Sequence, residues 1–143
     1  MSETHRALAR RWFEEVWNKR NPDTVDTLMT PDAMAHTEGG DLTGPAAFKV
    51  ARALLLGAFP DLEVTVEDVV VEGPHAVVRW SAGGTHRGDQ FGFPASGREV
   101  RFRGMTWMRF ERERIVEGWD AWNLGAVLEA CRAPAESPSA AKA

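Results

Sequence analysis

Asp120 is a carboxylate set between two tryptophans, Trp119 and Trp122, near the end of an apolar strand-like stretch. An ionised carboxylate among large aromatics is costly unless it is paired, hydrogen-bonded or protonated. Two readings explain its presence. It is a structural group, paired with Arg103 or capping the helix that starts near Asn123. Or it is a general base in a hydrophobic cavity, suited to removing a proton from carbon next to a carbonyl. His86 shares a strand face with Val78, Trp80 and Ala82, and His36 ends a short strand ahead of a glycine-containing loop. Each is a candidate proton carrier or hydrogen-bond donor, and each reads equally as a satisfied core or rim histidine. His5 and His75 read as solvated.

Other chemistries find less support. His36, His86 and Asp120 are scattered and lack the short spacing of a zinc site, so no metal is expected. No glycine-rich phosphate loop follows a strand, and no cofactor is expected. Ser81 and Ser96 lie in no nucleophile-elbow context. The chain has no tyrosine, which removes a phenol from the possible acids. Arg98, Arg101, Arg103 and Arg109 fall along one strand and suit a partly solvated face as well as an anion site.

The elements that must hold these groups follow from pattern. The chain has 143 residues, enough for one domain with one core. A net charge of -4 gives no broad case for nucleic acid or a membrane surface. The longest apolar run is far too short to span a bilayer, and the first residues carry no signal-peptide core. A single cysteine, Cys131, points to a reducing cytoplasm. Leu8, Trp12, Phe13, Val16 and Trp17 recur at helical spacing. Asn21-Pro22 starts a second helix, and Gly44-Pro45 a third that runs to about Leu56. Beyond Pro60 the period becomes two. Four long strands are expected, with Gly83-Gly84 as a bend or bulge, residues 87–98 as a loop, and a short tail helix after Asn123. Residues 1–132 read as a single α+β domain with helices over one face of a mostly antiparallel sheet. Residues 133–143, rich in Ala, Pro and Ser, read as a disordered tail.

The last hairpin sets the neighbours of Asp120. If Glu111 and Arg114 face each other, Asp120 falls opposite Met105, Trp122 opposite Arg103, and Gly118 opposite Trp107. Arg103 is then a diagonal neighbour of Asp120. Glu117 and Trp119 face the other way.

Five stretches belong together: Trp17-Asn18 through Asn21-Pro22; Ala35-His36 followed by Thr43-Gly44-Pro45-Ala46-Ala47-Phe48-Lys49; Ala58-Phe59-Pro60-Asp61-Leu62; Gly83-Gly84-Thr85-His86-Arg87-Gly88 with Phe91-Gly92-Phe93-Pro94-Ala95-Ser96-Gly97; and Ile115-Val116-Glu117-Gly118-Trp119-Asp120. In their order and spacing they resemble the SnoaL-like polyketide cyclases, or ester cyclases, of the NTF2-like superfamily. The resemblance implies a cone-shaped α+β barrel with a deep hydrophobic pocket, and a homodimer formed through the outer sheet face. It implies an intramolecular aldol ring closure without metal or cofactor. Asp120 matches the family's acid/base residue, the family's Thr-His pair before the long loop matches Thr85-His86, and its strand-end histidine matches His36, so that His86 and His36 are expected in the pocket as candidate catalytic partners of Asp120.

On this reading Trp12, Phe59, Trp80, Phe91, Phe93, Trp107 and Trp122, with Arg103 and Met105, receive a hydrophobic or aromatic carbonyl substrate. An isomerase or hydrolase on the same scaffold, or a non-catalytic module that binds a small hydrophobic ligand, remain the alternatives.

Overall fold

The computed structural model describes residues 2–132, so the Ala/Pro/Ser-rich tail lies outside the described residues. Helix α1, Ser2–Trp12, runs directly into a π-helical turn, Phe13–Asn18. Helix α2 spans Asp23–Leu28, strand β1 Met29–Thr37, strand β2 Gly40–Thr43 and helix α3 Gly44–Ala58. Strands β3 (Glu63–Glu72), β4 (His75–Thr85), β5 (Glu99–Glu111) and β6 (Arg114–Trp122) follow, and α4 (Leu124–Arg132) ends the described chain. The expected helices are all present. Two boundaries differ from the pattern: β1 begins earlier, at Met29, and β2 starts within what reads as a loop.

One six-stranded sheet carries the fold, in the order β2-β1-β6-β5-β4-β3. All neighbours are antiparallel except β1 and β6. The sheet is not closed: β2 and β3 are its edges. The β3 edge is partly covered by Asn18, whose side-chain amide both donates to Val64 O and accepts from Val64 N–H, each at 2.8 Å. This pairing blunts an exposed edge and fixes the end of the π-helical turn against the sheet. Ala9, Val16, Val25, Phe59, Val78 and Met108 are among the buried side chains of the core.

Gly83 and Gly84 do not form the expected bulge. Their pairing runs on without a break to Arg101 and Val100, and the irregularity lies across the ladder, between Val66 and Asp68. Gly84 serves packing instead. A Cβ there would stand 2.9 Å from Phe59 Cβ and 3.2 Å from Asp61 Oδ1, so the missing side chain admits the turn after α3.

The last hairpin shows the main departure. Glu111 pairs with Arg114 and Phe110 with Ile115, as expected, but a bulge then shifts the register by one residue. Asp120 consequently pairs with Thr106, Trp119 with Trp107, Gly118 with Met108 and Trp122 with Gly104. A one-residue slip exchanges the faces of a strand. Phe102, Thr106 and Met108 therefore share the inner face with Gly118, Asp120 and Trp122, while Arg103, Met105 and Trp107 face outward.

Candidate functional site

Between the helices and the inner sheet face lies a cavity of about 360 Å³, near the small end of ligand pockets, roughly 300–1,000 Å³. Its wall is mainly aromatic and aliphatic. The polar side chains reaching it are Thr37, Glu38, Arg52, Gln90, Thr106 and Asp120. Glu38, Leu54 and Gln90 are exposed as well as lining, so the mouth lies between the β1–β2 turn, α3 and the loop after β4. The helical end also contributes. Trp12 and Trp17 are five residues apart, and the wider π-helical turn brings both to the cavity wall. Leu124 and Leu128 of α4 complete the wall beyond β6.

Asp120 is placed here by β6 and oriented by a chain of two hydrogen bonds. Trp80 Nε1–H donates to Thr106 Oγ1 at 3.0 Å. An indole nitrogen only donates, so the Thr106 hydroxyl proton is free to go to Asp120 Oδ1, 2.6 Å away. The direction of the chain is thereby fixed. The other carboxylate oxygen makes no hydrogen bond to the described residues. Burial in this apolar wall pushes the Asp120 pKa up to about 6; the Thr106 hydroxyl opposes the rise and the Glu38 charge adds to it. The group is half protonated near pH 6 and mostly ionised at neutral pH, ready to act as a base and then to return the proton as an acid. Neither structural reading of Asp120 holds. Arg103 is on the other face, and the cap of α4 is Asn123, whose Oδ1 accepts from Ala126 N–H at 2.9 Å.

Gly104 shows how tightly this corner is built. A Cβ there would come within 2.7 Å of Trp80 Cζ2 and of Trp122 Cβ, and within 2.6 Å of Ala121 O. Only glycine lets the two cavity tryptophans close over β5.

The expected triad does not converge. His36 follows the pleat to the outer face: Ala35 and Thr37 reach the cavity, whereas the His36 ring stacks on Trp119. It bridges Asp41 Oδ1 at 2.9 Å and Glu117 Oε2 at 2.8 Å, and these carboxylates raise its pKa, Glu117 more than Asp41. His86 is fully buried behind the wall, among Phe59, Phe91 and Phe93. Ser96 N–H donates to its Nδ1 at 3.1 Å, so Nδ1 carries no proton and Nε2–H is the donor. That Nε2 has no hydrogen-bond partner among the described residues. Thr85, the neighbour in the Thr-His pair, is clamped by Asp61, which accepts its N–H at 2.7 Å and its hydroxyl at 2.8 Å. These two stretches of the sequence thus hold the loop to the turn after α3.

Of the expected binding residues, Trp12, Trp80, Phe91 and Trp122 line the cavity. Phe59 and Phe93 stand behind it, packed on His86. Arg103, Met105 and Trp107 are exposed on the outer face because of the bulge. Thr106 and Arg52 escaped the sequence reading. Thr106 is visible only once the register is known, and Arg52 lies beside the apolar stripe of α3 with no motif to mark it.

Comparison with known proteins bears on this geometry. The model of the SnoaL-like polyketide cyclase family matches residues 7–131. No curated protein sequence matches. A crystal structure of a candidate SnoaL-like polyketide cyclase from Jannaschia sp. CCS1 is 28% identical, with a TM-score of 0.87 over 94% of this chain and 95% of that one. AclR of Streptomyces galilaeus, described as a candidate hydroxylase, is 22% identical, with a TM-score of 0.81 over 94% and 100%. A Catenulispora acidiphila protein with a ketosteroid isomerase-like fold is 22% identical, with a TM-score of 0.74 over 92% and 97%. The last two speak to the fold alone. The match along nearly the whole described chain, on a sheet and cavity of this shape, establishes that the chain belongs to the SnoaL-like polyketide cyclase family.

Proposed function

We propose that the protein is a cofactor-independent acid/base enzyme acting on a hydrophobic carbonyl compound such as an aromatic polyketide, with Asp120 as its base. The observation that carries this is a carboxylate lining an apolar cavity, aimed by Thr106 and held near pKa 6 by burial. Asp120 takes a proton from a carbon activated by a neighbouring carbonyl. The enolate then attacks a second carbonyl of the same folded chain, and the proton passes from Asp120 to the new alkoxide. The Gln90 amide, at the mouth of the same cavity, is a donor available to an enolate oxygen that reaches it. The aromatic wall supplies the rest by holding a flexible substrate in its reactive fold. His86 and His36 lie off the cavity and are assigned supporting places, His86 under the loop after β4 and His36 on the outer face.

Proton abstraction is testable without the natural substrate. Exchange of the α-protons of 2-tetralone in deuterium oxide, followed by NMR, should be catalysed by the protein. Asp120→Asn should reduce that catalysis by about 10²–10⁴-fold. A variant exchanging at the wild-type rate would remove Asp120 from the mechanism.

The outer sheet face exposes Met105, Trp107 and Trp119 at 52%, 47% and 38%, a large apolar area for a surface. We infer that a second copy of the chain covers it. No described helix is long and apolar enough to cross a membrane, and the buried thiol of Cys131 suits the cytoplasm.

A further inference from the structure

Arg52 is a cation with no counter-charge among the described residues. It lies on α3, is 8% exposed, and lines the same apolar cavity as Asp120. Its Nε donates to Val16 O, in the π-helical turn, at 3.0 Å. That is its one hydrogen bond among the described residues, and no carboxylate there pairs with it. Burial lowers its pKa, and the charge of Arg20 lowers it further. Arg20 donates to Leu62 O at 2.8 Å and leaves its own Nε buried without a partner among the described residues. Two guanidiniums thus stand near one another, each docked on a main-chain carbonyl and neither neutralised by a described carboxylate.

A buried charge with no partner is expensive, and proteins retain one where something else supplies the opposite charge. Asp120 does not supply it: neither group figures among the charges that shift the other. The two therefore act as separate poles of one cavity. A guanidinium is also suited to carboxylate and similar planar oxyanions, which it holds through two parallel N–H bonds.

We propose that Arg52, with Arg20 behind it, forms an anion subsite, so that the ligand of this cavity is an aromatic or hydrophobic acid whose carboxylate or acidic oxygen sits on Arg52 while its reacting carbon faces Asp120. This rests on the cavity being the substrate site and narrows the substrate to that class. It also gives the folded substrate a fixed direction in the cavity, with its charged group away from the base.

The test uses the full chain and two probes of one shape, 2-naphthoate and the neutral 2-naphthamide, in calorimetric titrations at pH 7.5 and moderate salt. The subsite predicts that the wild type binds the acid at least about tenfold more tightly than the amide. Arg52→Met should abolish that preference while keeping amide binding, and Arg52→Lys should keep part of it. Equal binding of the two probes by the wild type overturns the proposal whether or not Arg52→Met folds. A preference that survives in a folded Arg52→Met overturns it too. Binding of neither probe would remove the cavity as a ligand site and the subsite with it. Tight amide binding with no preference for the acid would leave the cavity standing and sink the subsite alone.

Discussion

Asp120 and Glu117 are carboxylates of one strand, three residues apart, and the sheet gives them opposite fates. Glu117 faces outward. It meets His36 Nε2 at 2.8 Å and Arg109 at 3.2 Å. The hydrogen bond from His36 above all holds its pKa below the usual carboxylate range; burial opposes this, and the hydrogen bond from Arg109 helps to offset the burial. Asp120 faces inward. It has one neutral donor, Thr106, no described cation beside it, and a pKa raised to about 6 by burial. Chain position does not separate the two. What separates them is which face carries the cations, and a bulge in the hairpin decides that. Had the register run straight from the turn, Arg103 would have shared a face with Asp120 and held it ionised, as Arg109 and His36 hold Glu117.

This contrast can be broken or sharpened from either side. The largest effect is the loss of about 10²–10⁴-fold in proton exchange for Asp120→Asn, whereas Glu117→Gln should leave exchange near the wild-type level. On the outer face, Trp107→Lys places a charge in the exposed apolar area. It should shift sedimentation from dimer to monomer while leaving proton exchange in place, and a variant that stays dimeric would move the interface elsewhere.

Thr106→Val is the next test. It removes the one donor that favours the charged form of Asp120, and it leaves Trp80 N–H buried without an acceptor, at a cost of about 1–3 kcal/mol. The rising limb of the pH–rate profile, centred near 6 in the wild type because the base is the deprotonated form, should move upward. The rate at neutral pH should fall about three- to tenfold. Thr106→Ser, which retains the hydroxyl, should restore the wild-type profile.

The smallest effect is on stability. The folded pKa of Asp120, about 6, lies above the 3.8 of an ordinary aspartate. Between those values the folded state binds a proton that the unfolded state has lost. Wild-type stability therefore falls as pH rises through that window and levels off above it. Asp120→Asn carries no such charge, so its melting temperature should exceed the wild type's at pH 8 by an amount worth roughly 1–3 kcal/mol, with the gap closing near pH 4. A constant gap across that range would place the strain elsewhere.

Much of this was legible before the structure. The stripe of Trp12, Phe13, Val16 and Trp17, the Asn-Pro and Gly-Pro starts, and the change of period after Pro60 are strong local signals. Alternation along β6 directs Asp120 and Trp122 to one face, and both line the cavity. The partner strand was misread because a bulge leaves no mark in composition, and one residue of slip moved Arg103, Met105 and Trp107 outside and Thr106 inside. His36 was misplaced for a related reason: its face depends on the parallel pairing of β1 with β6, which joins segments far apart in the chain. Arg52 was passed over because, beside an apolar helix stripe, an arginine looks like a solvated flank.

The most direct test follows the side-chain carboxyl resonances of Asp120 and Glu117 by isotope-edited NMR as pH is varied. The account predicts a midpoint for Asp120 near 6 and one for Glu117 below the ordinary carboxylate range. An Asp120 midpoint at or below that of an ordinary aspartate would contradict the account, since the carboxylate would then be a paired, permanently ionised group and not a base held ready by burial.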